Sequence, residues 1–248
     1  MICNETEDGW EIIFQRAHAL LTANLLHPLA SRLRPGPWTA ILHAAAQHDH
    51  GWQEWEPGGR LTSGGAPQHF TDVRLEDVAS QSRPLLRRLW HQDRWVALLV
   101  ARHLAHLYDG RRGEEAALDA FLDEQADWRR DWRTALGLSE ADEDRLYAPL
   151  RWADAFSLAL CCRQFEDDGT VTLMPGPAGE VTTVAALTDR EAPAVTVRPW
   201  PYREDRFTVS LDVYSLSRQT FDGHEALLEA LAASPAVRRS WSIEAPSQ

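Results

Sequence analysis

The sequence predicts a mainly α protein: a helical domain over residues 1–164 carrying a small β-rich appendage over residues 165–248. Three observations lead there. Apolar residues fall at helical spacing in six stretches ahead of residue 165. After Phe165 the pattern changes to short runs rich in valine and threonine, separated by glycine and proline. The opening MICNETEDGWEIIF reads as two strands around an Asp8-Gly9 turn, a hairpin able to pair with the appendage.

Taken in order, the helices begin at Gln15, where Leu21, Leu25 and Leu29 recur at four-residue steps to about Leu33. RPGP then breaks the chain, and Pro37 starts a second helix that runs to about Asp49. Residues 51–74 hold many glycines and prolines and read as a long loop; loops of that length usually have work to do, such as covering a site. Helices are expected over 75–91, 93–109, 114–136 and 139–164. Strands follow in TVTLMP, EVTTVAAL, PAVTVRPW and RFTVSLDVYSL, with a last helix over 223–233. There is no internal repeat and no low-complexity tract.

Composition narrows the classes. The 248 residues are 44% hydrophobic and 25% charged, with a net charge of -12. All 25 basic residues are arginine. That acidic balance argues against a general binder of nucleic acid or of anionic membranes, yet leaves room for a small anionic substrate held by a few local arginines. Three cysteines, two of them the neighbours Cys161 and Cys162, do not suggest a disulfide framework, and the acidic N-terminus has no signal-peptide character. A reduced, cytoplasmic protein is the expectation. No glycine-rich phosphate loop or nucleophile elbow occurs. WRRDWR, residues 128–133, reads as a solvated helix face laced with ion pairs to its acidic neighbours.

Chemistry enters where ionisable residues stand on apolar faces. His18 shares its face with Leu21 and Leu25, His48 follows Ile41 and Ala44, His103 lies among Val96, Leu99, Val100 and Leu107, and Asp154 is bracketed by Leu150 and Leu158. Burying an unpaired carboxylate costs several kcal/mol, so Asp154 needs a partner. One divalent cation shared by His18, His48, Asp49 and Asp154 would satisfy all four, and imidazole with carboxylate suits a transition metal, iron, manganese or zinc foremost. The negative end of the helix dipole favours a cation beside His48 and Asp49. The plainer alternative is that each group is a hydrogen-bonded core residue with a local partner.

On MI at the start, QRAH (15–18), HDHGW (48–52), LLVARH (98–103), DAFSLALC (154–161) and RPWPY near residue 200, the chain resembles the bacterial family catalogued as domain of unknown function 3891. The order His18, His48-Asp49, Asp154 also resembles the HD-domain superfamily of helical metalloproteins. That likeness implies an HD-like helical bundle. It further implies a metal-dependent hydrolase of a small phosphorylated molecule or nucleotide, with Asp49 at the ion and Arg16 or Arg102 neutralising phosphate. The same superfamily implies a di-iron oxygenase as an alternative, which needs further histidines; His103 is placed for this, with His69 and His106 the candidates for a second metal. HD hydrolases often carry a lysine or histidine where this chain has Trp52. Trp52 and Trp55 would instead line or seal the pocket, and a metal-bearing module without catalysis stays open.

Overall fold

Two of the predicted helices end where the chain's own chemistry stops them. In the computed structural model, which describes residues 1–52, 60–187 and 193–246, α1 spans Gln15–Leu26 and not the stretch to Leu33. Pro28 has no N–H to continue the ladder, and the chain turns to set Leu29 beside Tyr202 in an isolated bridge. α2 spans Trp38–Gln47, α3 Leu75–Gln92, α4 Arg94–Tyr108, α5 Ala116–Leu136 and α6 Glu140–Cys161. Gly137 ends α5 in the left-handed conformation, and a Ser139–Asp142 capping box starts α6. α7 spans His224–Ala233.

The fold class departs from the expected mainly α, HD-like bundle with a small β elaboration. Half of the described residues are helical and a fifth lie in strands. The strands are β1 (Ile2–Glu5), β2 (Trp10–Ile13), β3 (Thr170–Leu173), β4 (Thr182–Leu187), β5 (Ala194–Arg198), β6 (Arg206–Leu216) and β7 (Val237–Glu244). They form one seven-stranded mixed sheet, ordered β1-β2-β6-β7-β5-β4-β3 and curved as a half-barrel. The element missed in the sequence is β7. Its run VRRSWSIE hides the strand period behind two arginines, whose charges are met across the sheet: Arg238 donates to Asp212 on β6 at 3.0 Å, and Arg239 pairs with Glu11 on β2. β7 pairs with β6 on one side and, in parallel, with β5 on the other. Without it the strands would form two separate sheets; with it they form a layer as important as the helices.

Both faces of the N-terminal hairpin are buried. Ile2 and Ile13, opposite each other in register, join the main core under the helices. Cys3 and Ile12, the next pair, point the other way into a smaller core closed by Leu227 and Leu231 of α7. On the helical side α4 is central, packed against α2, α3, α5 and α6. Val96 to Ala101 of this helix are all buried, as expected of a helix apolar all round. Each such side chain contributes roughly 1.5–3 kcal/mol by burial. Anything polar that α4 carries inward sits deep in the protein. Among the described residues, no helix is long and apolar enough to cross a membrane.

Candidate metal centre

His103 is that polar group, and four others meet it. His18 comes from α1, His48 and Asp49 from the turn that ends α2, His103 from α4 and Asp154 from α6. All five are buried and line one cavity of about 230 Å³. α2 unwinds after Gln47 through successive turns, with His50 N donating to Gln47 O and Trp52 N to Asp49 O, so adjacent His48 and Asp49 can turn to the same side. Gly51 makes this possible by close approach: a Cβ there would lie 3.2 Å from the Gln81 carbonyl of α3.

The polar atoms crowd together. His18 Nε2 lies 2.9 Å from Asp154 Oδ1 and 3.7 Å from Asp49 Oδ2. His48 Nε2 lies 3.3 Å from both carboxylates. Two groups, His18–His48–Asp49 and His48–His103–Asp154, each bring their ligand atoms within 4.8 Å of one another. The far side of each ring is held. His48 Nδ1 donates to the Ala45 carbonyl at 2.7 Å, which turns the Nε2 lone pair inward. Ser157 Oγ lies 2.7 Å from His18 Nδ1 and 3.3 Å from the His18 carbonyl, which fixes the ring with Nε2 turned inward. His103 Nδ1 meets the Tyr147 hydroxyl at 3.0 Å. Trp52 Nε1 donates to Asp49 Oδ1 at 3.2 Å, leaving Oδ2 for the cluster. Such outer partners fix the tautomer and aim of metal ligands.

A divalent ion fits this donor set. His48 Nε2 is buried and aligned with neither carboxylate, so it has no hydrogen-bond partner among the described residues. His18 Nε2 stands 2.9 Å from Asp154 Oδ1, a separation that either a ring N–H or a shared metal ion can bridge. Without a metal, burial disfavours charge on His48, yet the carboxylates of Asp49 and Asp154 overcome it and hold the imidazole well above its ordinary value. Burial pushes Asp154 up, but its bond from His18 and the nearby His48 and His103 rings bring it well below the usual carboxylate range. Asp49 is lowered too: the His48 charge outweighs burial and the repulsion of Asp154. For His103 burial wins and brings the value down to about 4, so this ring stays neutral. Two carboxylates and imidazole nitrogens directed at one place are a donor set that a divalent cation balances.

The other residues singled out in the sequence fall elsewhere. Trp52 lines the cavity, while Trp55 lies outside the described residues. Arg16 donates to the Trp52 carbonyl at 3.3 Å, and Arg102 pairs with Asp144 at 2.8 Å over the Tyr147 ring; neither lines the cavity. His69 caps a short turn at Phe70–Asp72, accepting from Thr71 N, and His106 stands outside the cluster with its ring 6.0 Å from Tyr147. Neither belongs to the two ligand groups found among the described residues. Four cavity or support residues went unread in the sequence: Ser157, Tyr147, Tyr108 and Arg111. Ser157 and Tyr147 share a face of α6 with Asp154, at plus three and minus seven. Tyr108 and Arg111 follow the cavity residue Leu104 at plus four and plus seven.

Fold and site together define an α+β protein whose helical layer encloses a His/Asp cluster suited to a divalent metal and open to a cavity. The family model described as "Protein of unknown function (DUF3891)" matches residues 1–218, and the chain belongs to that family. No curated protein and no solved structure matches it. The likeness to the HD-domain superfamily gains no support from these comparisons, and the seven-stranded sheet separates this fold from a mainly α HD bundle.

Proposed function

We propose that this chain is a metal-dependent hydrolase acting on a small phosphorylated molecule. One observation carries the reading: the five ligand-type side chains are not sealed in core but form the wall of a cavity of about 230 Å³. A purely structural metal site is closed, whereas a catalytic one keeps a position open to solvent and substrate. A bound divalent ion would supply Lewis acidity and a water of lowered pKa. His18, His48, Asp49 and Asp154 would hold it, with His103 beside them. The reading takes from HD-type enzymes only the order of ligand types along the chain.

The chain's own groups then have definable tasks. Burial and the Asp49 charge raise the Tyr108 hydroxyl to about 12, so it stays protonated and can donate to a substrate oxygen. Arg111 puts a guanidinium in the outer cavity wall, paired with Glu114, while Arg16 and Arg102 do not line the cavity. Trp52 holds Asp49 in one orientation and lines the cavity.

The test is to strip the protein with a chelator, reload it with manganese, iron(II) or zinc, and assay p-nitrophenyl phosphate. Phosphate release that needs the ion and is lost in Asp154→Ala is expected. An ion-saturated protein that turns over no phosphate ester would overturn the reading in favour of a binding module. Oxygen-dependent turnover by the iron form would replace it with an oxygenase.

A further inference from the structure

The walls of the cavity differ sharply from its floor. From the cluster outward, one face of α4 contributes His103, Leu104, Leu107 and Tyr108, and the short 3-10 turn Asp109–Arg111 that follows contributes Arg111. At about 1.5 Å of rise per residue, Leu107 stands roughly 6 Å along the axis from His103, and Arg111 lies farther out, past the end of α4. Phe70, Val73, Val78 and Leu85 face the same space from the turn before α3 and from α3 itself. Leu107 is 44% exposed, a large apolar side chain kept at the edge of an opening. Cationic lining is scarce. Among the described residues Arg111 is the lone arginine in this wall, and its Nε and Nη2 already donate to the Glu114 carboxylate, at 3.0 and 2.6 Å.

We infer that the substrate is a phosphate ester of a compact apolar alcohol or phenol rather than a nucleotide polyphosphate. The phosphoryl end meets the His/Asp floor, and the ester's hydrocarbon part lies against the belt of Leu104, Leu107, Phe70 and Val73. A polyphosphate chain needs several guanidinium or ammonium partners to offset its charge. This cavity, in a chain of net charge -12, offers one arginine that is already paired. The inference rests on the hydrolase reading for the bond that is cleaved, but the shape and polarity of the belt can be tested without turnover.

The experiment is calorimetric titration of the manganese-loaded protein with three non-hydrolysable probes: methylphosphonate, phenylphosphonate and α,β-methylene ADP. Phenylphosphonate is expected to bind about tenfold to a hundredfold tighter than methylphosphonate, the effect of burying one aromatic ring. The nucleotide analogue should bind no tighter than methylphosphonate. Leu107→Asn, at a half-exposed position that tolerates a polar residue, and Phe70→Ser should each shrink the phenyl preference several-fold while leaving methylphosphonate unchanged. Equal affinity for the two phosphonates, or tightest binding of the nucleotide analogue, would overturn the inference. A phenyl preference without hydrolysis of any aryl phosphate would retain the apolar-ligand assignment and overturn the hydrolase reading. Failure of every probe to bind would overturn both.

Discussion

Two of the sites where this protein buries carboxylates solve the same problem differently. Between α5 and α6, Glu143 is 1% exposed and receives Arg129 at 2.7 Å and Arg133 at 2.6 Å, each a charge-assisted bond from a permanent cation. WRRDWR is therefore not simply a solvated face: two of its arginines turn inward to hold one acid. In the cavity, Asp49 and Asp154 have no arginine partner among the described residues. Their neighbours are imidazoles, one of which has a buried nitrogen with no hydrogen-bond partner among the described residues. The first arrangement is complete without added charge. The second is complete only when a proton or a metal supplies it, and the cavity beside it gives an ion and a small molecule somewhere to enter.

That contrast can be broken at either end. The largest effect belongs to Glu143→Ala, which leaves two arginines facing a vacated site and should cost about 3–5 kcal/mol in urea denaturation. The loss should be the same with and without chelator. Asp154→Ala should behave oppositely: it abolishes ion binding, and chelation then no longer changes its stability. In the unaltered protein, removing an ion present at a hundred times its Kd should lower stability by roughly 2.7 kcal/mol. Ser157→Ala frees the His18 ring and should weaken ion affinity about 10- to 100-fold, read by competition with a chromogenic chelator.

Acidity separates the two sites further. In the metal-free protein the His48 value lies above its ordinary 6.5, because Asp49 and Asp154 outweigh burial. A raised histidine contributes stability that is complete below its unfolded value and is lost as pH climbs through the folded one. Chelated protein should therefore lose stability on the alkaline side of about 6.5. The metal-bound form, with the proton already displaced, should not show this loss. At the small end, His106→Asn should change stability by less than about 0.5 kcal/mol and leave ion stoichiometry unchanged.

The convergence was legible because helical periodicity puts His18, His48, His103 and Asp154 on inward faces, with Asp49 beside His48 at the helix end, and a buried ionisable residue needs a partner. Their supports were not legible. A serine such as Ser157 or a tyrosine such as Tyr147 is ordinary on a helix until the histidine opposite it is known, and that histidine belongs to another helix. The sheet was misjudged for a related reason. Arg238 and Arg239 give β7 the look of a surface tail, and only their partners Asp212 and Glu11, on strands distant in sequence, show that it is an interior strand. Arg16 and Arg102 look suited to phosphate from their nearness to ligands in the chain, yet neither lines the cavity: one reaches the Trp52 carbonyl and the other Asp144. Sequence proximity fixes which helix carries a side chain, not what that side chain reaches.

The most direct test is calorimetric titration of chelator-stripped protein with manganese or zinc in buffers of different ionisation enthalpy. One ion per chain, bound with release of protons, and no binding in Asp154→Ala, is the expected result. A stripped protein that takes up no ion, or an Asp154→Ala variant that binds as well as the parent, would show that the carboxylates and imidazoles of this cavity satisfy one another without a metal.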